Sequence, residues 1–333
     1  MSDCCCQNNP GTIQRVQTEL TFKDQVGALK VRCGIGRMNY RVQPGLYAVG
    51  DPDCFSPVLV SANYKLTFDS LRKELTGVNC YLLILDTKGV NVWCAAGKGT
   101  FGTEELLNRI KKTGLSRVVS HRTLILPQLG APGVDSNEVK KRIGFNIVYG
   151  PVRASDIKAF LAADMKATDD MRKVKFTTYN RMVLTPMEFI AAMRISLVVF
   201  GLLFLANLIA TEPFGIGDLA AYMGAVVFGT VVTPILLPII PVRAFSLKGW
   251  ILGLCWAAYI VWMLGWFRDD LAAAAGYMFL LPSVSAYFAM NFTGSSTYTS
   301  FSGVMKEMKI AVPLIAVTIV IGAALLLLGR VIL

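Results

Sequence analysis

One thiol stands among small residues in the stretch Asn91-Val92-Trp93-Cys94-Ala95-Ala96-Gly97-Lys98-Gly99-Thr100-Phe101-Gly102. A cysteine thiolate is a nucleophile and a soft metal ligand. Glycine and alanine let a large flat ligand approach the backbone closely. The spacing Gly97-Lys98-Gly99-Thr100-Phe101-Gly102 also fits G-x-G-x-x-G, the dinucleotide fingerprint when a strand precedes it and a helix follows. The acid that should hold the ribose is missing, because the next strand, ending near Leu126, has no Asp or Glu at its tip. A phosphate-binding P-loop fails too: Val92 stands five positions before Gly97, and Gly99 follows Lys98. A membrane-tethered NAD(P)-binding oxidoreductase using Gly97, Gly99 and Gly102 is the second reading, and it leaves Cys94 unexplained. Spacing alone leaves Cys94 open between function and burial as a small hydrophobe.

Few other residues compete for chemistry. The single histidine, His121, reads as a structural residue within a strand and rules out a His-rich metal site. The eight cysteines contain no C-x-x-C pair, which excludes an ordinary zinc or iron–sulfur framework within the chain. Cys4, Cys5 and Cys6 are adjacent, and three adjacent side chains do not easily point at one ion; they read as part of a disordered tail. The N-terminus is polar without a signal peptide, so the first domain is expected in the reducing cytoplasm.

The elements that position the stretch follow a β-α alternation. Short strands are expected at Leu46–Val49 and Val58–Ser61, then a helix capped by Thr67 through Leu75, a strand over Asn79–Asp86, and a helix over Glu104–Lys112. A strand over Arg117–Leu126, a helix over Asn137–Ile143, a strand over Phe145–Tyr149 and a helix over Asp156–Ala162 complete the series. Leu20–Phe22 is the only candidate for an N-terminal edge strand. The order predicts an α/β, Rossmann-like parallel sheet with helices on both faces, whose Gly/Pro-rich loops gather at one edge.

The chain has 333 residues, is 54% hydrophobic and only 17% charged, too apolar for a soluble protein of this length. The excess lies beyond Pro186. Five apolar segments, about 189–210, 217–240, 249–267, 271–290 and 310–329, are each long enough for a hydrocarbon core of roughly 30 Å. Thr185-Pro186-Met187-Glu188 reads as the start of the first span. Pro234, Pro238 and Pro241 should break or kink the second. The organisation expected is a tail at 1–22, a cytoplasmic domain at 23–165, a basic linker at 166–185 and an all-α five-helix membrane domain at 186–333. Lys and Arg are concentrated in the loops between spans two and three and between four and five, which places the N-terminal domain inside the inner membrane and the C-terminus outside.

The net charge of +11 is scattered, with one juxtamembrane patch at Arg172-Lys173-Val174-Lys175. That pattern faces anionic lipid rather than nucleic acid. The hydroxyl-rich loop Asn291–Ser300 is expected on the cytoplasmic side, where it could face the soluble domain. Arg194 should snorkel. Few ionisable residues fall inside the spans, which favours an anchor over a transporter with a regulatory domain.

The octet Asn91-Val92-Trp93-Cys94-Ala95-Ala96-Gly97-Lys98 resembles the signature of the corrinoid protein of the mercury-methylation pair. The resemblance continues through Leu124-Ile125-Leu126-Pro127-Gln128-Leu129-Gly130-Ala131 and Tyr149-Gly150-Pro151-Val152-Arg153, which also resemble the corrinoid domain of the corrinoid iron–sulfur protein large subunit. That second relative lacks the cysteine and the spans. The D-x-H-x-x-G signature of His-ligated corrinoid enzymes is absent around His121.

The resemblance implies a base-off, cobalamin-type cobalt corrinoid with Cys94, on a cap helix, as its lower axial ligand, and transfer of a methyl group from methyl-cobalt to Hg(II). It implies cofactor contacts at Asn91, Val92, Trp93, Ala95, Ala96, Gly97, Lys98, Gly99, Thr100 and Gly102. Further contacts are expected at Ser61, Asn63, Pro127, Gln128, Leu129, Gly130, Gly150 and Pro151. The implied partners are a ferredoxin-like 4Fe–4S protein as electron donor and a methyltetrahydrofolate-linked methyl donor protein.

Overall fold

The computed structural model describes residues 13–208 and 213–328. Cys4–Cys6 lie outside the described residues. The chain divides into two compact units, residues 1–31 with 35–174 and residues 32–34 with 175–333.

The first unit is built on a six-stranded mixed sheet. Its strands are β1 (Gln14–Arg15), β2 (Gly45–Val49), β3 (Val58–Ala62), β4 (Cys80–Leu85), β5 (Thr123–Pro127) and β6 (Asn146–Gly150). The spatial order is β1-β2-β4-β3-β5-β6. β4, β3, β5 and β6 are parallel, whereas β2 runs antiparallel to β4. The expected all-parallel sheet is thus corrected at β2, and the physical reason lies in the connection. Residues 50–57 between β2 and β3 are too few for a parallel crossover, which needs a dozen or more. Leu20–Phe22 is not a strand: the edge is Gln14–Arg15, and Phe22 opens helix α1 (Phe22–Arg32).

Helices cover both faces. On one face α2 (Lys65–Glu74) and α7 (Ile157–Ala162) pack Phe68, Leu71, Ile157 and Phe160 against Leu59, Leu82, Ile84 and Ile125. On the other, α3 (Val92–Gly97), α4 (Thr103–Thr113), α5 (Leu115–Val118) and α6 (Ser136–Ile143) meet Val58, Val60, Leu83, Leu85, Leu124 and Leu126. Alternate residues of each strand serve opposite cores, as a sheet buried on both faces requires.

α4 illustrates why these segments are helical. Glu104 and Glu105 occupy its first turn, Lys111 and Lys112 its last, and Gly114 stops it in the left-handed region at φ 61°. Between them Leu106, Leu107 and Ile110 are buried. The expected strand from Arg117 shortens to Thr123–Pro127, because residues 115–118 are helical. His121 therefore precedes the strand; its Nδ1 accepts from the Thr123 N–H at 3.2 Å, which leaves Nε2–H to donate to the Ser56 carbonyl at 2.9 Å.

The second unit holds α8 (Thr178–Asn207), α9 (Ile216–Val227), α10 (Thr233–Leu236), α11 (Phe245–Met263), α12 (Trp266–Asp269), α13 (Leu271–Asn291) and α14 (Phe301–Leu327). Among the described residues, five helical segments are long and apolar enough to cross a membrane: Thr178–Asn207, Ile216–Leu236, Phe245–Met263, Leu271–Ser295 and Ser302–Leu327. Thr185-Pro186 does not start the first of them. α8 begins at Thr178, capped by Thr177, and runs through Pro186. The proline has no N–H for the Met182 carbonyl, and the Thr185 hydroxyl donates to that oxygen instead, at 2.9 Å.

The second span follows the proline expectation. A π-helical turn at Phe228–Val232 interrupts it, and it stops at Leu236 before Pro238 and Pro241. The carbonyls beyond the break are satisfied by two buried cations. Arg181 donates to the Ile235 oxygen at 3.1 Å, and Lys248 to the Leu237 and Ile240 oxygens. α11 meets α13 through small residues: a side chain at Gly253 would strike Ser285 and Pro282, and one at Gly249 would strike Ala289.

Candidate functional site

The four parallel strands put every candidate residue at one sheet edge. Ala62 pairs with Leu85, Leu59 with Ile125, and Pro127 with Gly150, so the carboxyl ends of β4, β3, β5 and β6 are adjacent. The chain order reverses between β3 and β5, the place where open α/β sheets form ligand crevices.

From β4 the chain passes through Asp86–Val90 into α3. Asn91 is the N-cap, and its side-chain oxygen accepts the Cys94 N–H at 2.9 Å. This fixes the turn that carries the thiol. Val92, Ala95 and Ala96 face the core, at 6%, 0% and 7% exposure, while Trp93 is 45% exposed and Cys94 is half-buried. The two faces of α3 thus separate packing residues from the pair Trp93–Cys94. The Ala95 carbonyl accepts the Thr100 and Phe101 N–H groups at 3.0 and 3.1 Å, folding the chain back after α3. Gly99, at φ 76°, makes that reversal, and Gly102 leads into α4.

The glycines are therefore consumed in joining two helices. Gly97 ends the six-residue helix α3, which separates Gly99 and Gly102 from the tip of β4. The dinucleotide arrangement requires a direct strand–glycine–helix turn, so the oxidoreductase reading loses its structural basis.

α3 rests on the turn Gln128–Gly133 that follows β5. Phe101, fully buried, fills the space beneath Gly130, whose absent side chain leaves room for the ring. A Cβ at Gly133 would fall on the Phe101 carbonyl oxygen and lie 3.1 Å from the Ala96 Cα. Both neighbours are backbone and cannot rotate away. Gly133→Ala is expected to cost about 1–3 kcal/mol of overpacking. The melting temperature of the purified chain checks this, with Gly97→Ala as the tolerated control because nothing lies within 4 Å of its Cβ position.

Other candidate residues take different parts. Ser61 and Asn63 are buried at 3% and 1% exposure. Asn63 is engaged by the loop before α3. Gln128 accepts from Arg172 at 3.2 Å, Leu129 packs against the core, and Pro151 is buried. Lys98 is exposed, and its backbone N–H closes α3 on the Cys94 carbonyl. The sequence reading missed Thr87, Phe101 and Gly133. The aromatic–glycine complementarity of Phe101 with Gly130 and Gly133 has no short-range signature, because the partners meet only through the β5 crossover.

The thiols differ in environment. Cys80, at the start of β4, is fully buried, and desolvation pushes its thiol up to about 12. It is inert at neutral pH. Cys94 is the half-buried thiol of this edge. Among the described residues no three His, Cys, Asp or Glu side chains converge on a common point. A cavity of about 800 Å³ in the same unit lies elsewhere, at the amino ends of the strands around His121 and Thr123, away from α3.

Residues 34–161 match the family described as CO dehydrogenase/acetyl-CoA synthase delta subunit. The chain is 36% identical over 122 residues to the acetyl-CoA decarbonylase/synthase complex subunit gamma of Methanocaldococcus jannaschii, covering 36% of this chain and 25% of that one. It is 34% identical over 122 residues to the Methanopyrus kandleri subunit gamma, covering 36% and 26%. With the corrinoid/iron-sulfur protein large subunit of Moorella thermoacetica it is 34% identical over 127 residues, covering 38% and 28%. The chain spans about a quarter of the length of the curated relatives it matches. The family match covers β2 to β6 and the Cys94 edge, and there the chain is similar to proteins of acetyl-CoA synthesis and corrinoid chemistry.

Proposed function

We propose that this chain is a membrane-anchored corrinoid-dependent methyltransferase that passes a methyl group to Hg(II), with Cys94 as the axial ligand of the corrinoid cobalt. One observation supports the reading: a half-buried thiol on a capped helix, at the switch-point edge of the sheet, within a segment similar in sequence to a corrinoid/iron-sulfur protein. The donor set fits the group. A metal held by side chains alone needs several converging ligands, whereas a corrin supplies its own equatorial ring and asks the protein for one axial donor. Bound, the corrinoid would supply a transferable methyl group, and Cys94, a soft donor, would be the residue that holds its cobalt.

The chain's own residues do the rest. Asn91 holds the turn that presents Cys94. Ala95 and Ala96 keep the helix low against the sheet, and Trp93 offers an apolar face beside the thiol. Lys98 and the edge residues Ser61, Pro127, Gln128, Gly130 and Gly150 are assigned to the rim of the cofactor. Hg(II), a soft electrophile, is the substrate. A ferredoxin-like 4Fe–4S protein is assigned as reductant and a methyltetrahydrofolate-linked protein as methyl donor. The five apolar segments anchor the chain in the inner membrane, with the first unit on the cytoplasmic side by the charge of the loops.

The test is direct. Full-length protein, reconstituted with a cobalt corrinoid without oxygen and freed of excess, should retain cobalt near one equivalent and show a corrinoid absorption spectrum that shifts in Cys94→Ala. A colourless, cobalt-free protein sinks the proposal.

A further inference from the structure

The loop that carries α3 is wrapped around one buried amide. Asn63, one residue past β3, is 1% exposed. Its Oδ1 accepts the Thr87 N–H at 3.2 Å and the Gly89 N–H at 3.0 Å, and lies 2.9 Å from the Thr87 hydroxyl. Its Nδ2 donates to Asp86 Oδ1 at 3.2 Å. The Thr87 hydroxyl also stands 2.6 Å from the Val90 carbonyl and donates to one of these two oxygens. Thr87 is itself fully buried. The loop so held is not a relaxed one. Lys88 and Gly89 take φ values of 58° and 76°, the first uncommon for a residue with a side chain. Its next residues are Val90 and Asn91, and Asn91 caps the helix on the Cys94 N–H.

We infer that Asn63 is a positioning residue, which acts through the Asp86–Gly89 loop and Asn91 to set the Cys94 helix, rather than a cofactor contact. Little of the amide is open to a ligand: the side chain is 1% exposed, its acceptor is shared by two backbone N–H groups, and one of its two Nδ2 hydrogens is directed at Asp86. Truncation leaves the Gly89 N–H buried without its acceptor and the Thr87 N–H with only the Leu85 carbonyl, at 3.1 Å, which favours release of the loop. The inference rests on Cys94 being the working group of the proposed function. Its decisive measurements need no corrinoid, so either can fail without the other.

The experiment compares wild type, Asn63→Ala, Asn63→Asp and the swap Asn63→Asp/Asp86→Asn in the cofactor-free, full-length protein in detergent. The readouts are the rate of Cys94 alkylation by iodoacetamide and the hydrogen exchange of residues 87–101, with unreactive Cys80 reporting an intact sheet. Asn63→Ala should speed Cys94 alkylation and local exchange about tenfold or more. Asn63→Asp should do likewise, because its carboxylate faces Asp86. In the swap a carboxylate at 63 accepts from the loop and from the new amide at 86, so both readouts should return towards wild type. Should Asn63→Ala fail to fold, the single Asn63→Asp against the swap decides the matter alone. Unchanged alkylation and exchange in Asn63→Ala, or a swap no better than Asn63→Asp, overturns the inference. So does a variant that loses corrinoid affinity while both readouts stay at wild type, since that would make Asn63 a direct contact.

Discussion

Cys94→Ala is expected to reduce methylmercury formation to the level of a protein-free control while leaving the chain folded. The substitution removes one half-buried sulfur from a helix whose packing is made by Val92, Ala95 and Ala96. The Asn91 cap engages the backbone N–H of residue 94, so it survives the change. Stability should move by little, and the loss should appear in activity and in the corrinoid spectrum. Cys94→His separates ligation from electronics. Imidazole is a competent metal ligand but a harder and weaker donor than thiolate. The histidine variant should regain an axially ligated spectrum and only a small part of the methylation. The measurement is methylmercury produced per bound cobalt under reducing conditions, with membranes lacking the protein as background. Wild-type turnover in Cys94→Ala would remove the thiol from the mechanism altogether.

Much of this edge is legible in the sequence. The apolar runs of β3, β4, β5 and β6, and the glycine stops at Gly114 and Gly144, follow from period and from left-handed backbone demand. Those signals are local. What escaped was set by partners distant in sequence. β2 reads like any short strand, and only the eight-residue link from β2 to β3 reveals that it must run the other way. Thr185-Pro186 reads as the start of the first span because proline is favoured in the first turn of a helix. The helix continues through it because Thr185 supplies the missing donor. Asn63 is a cofactor contact only by what the resemblance implies. Its burial comes from a loop some twenty residues on.

α1 was the largest element missed, and its attachment gives a strong prediction on stability. Its sequence, Phe22–Arg32, has little amphipathic pattern, and an ion cluster holds it instead. Arg72 of α2 donates to Asp24 at 2.7 Å, to Asp69 at 2.8 Å and to the carbonyls of Gln17 and Glu19. Lys65 joins both carboxylates at 2.5 and 2.6 Å. Arg72 and Asp69 are buried, at 6% and 3% exposure. Removing one member of such a cluster strands the others, and Arg72→Met should cost about 3–5 kcal/mol. The loss should be read first as faster hydrogen exchange over residues 22–31, then as a lower melting temperature of the first unit.

The same cluster sets an acid dependence. Burial works to raise the Asp24 carboxyl, but the hydrogen bonds from Lys65 and Thr21 outweigh it and hold the group well below the usual carboxylate range. A depressed folded value means that the unfolded chain binds the proton more readily. The stabilisation is complete above the unfolded value of about 4 and is lost as pH falls below it towards the folded value. Exchange protection of α1, corrected for intrinsic rates, should therefore be flat between about pH 7 and 5 and decline in stronger acid. In Asp24→Asn the protection should be lower throughout and the acid decline shallower, because the titrating group is gone. An identical acid profile in the two proteins would assign the acid sensitivity to other carboxylates and leave Asp24 a spectator.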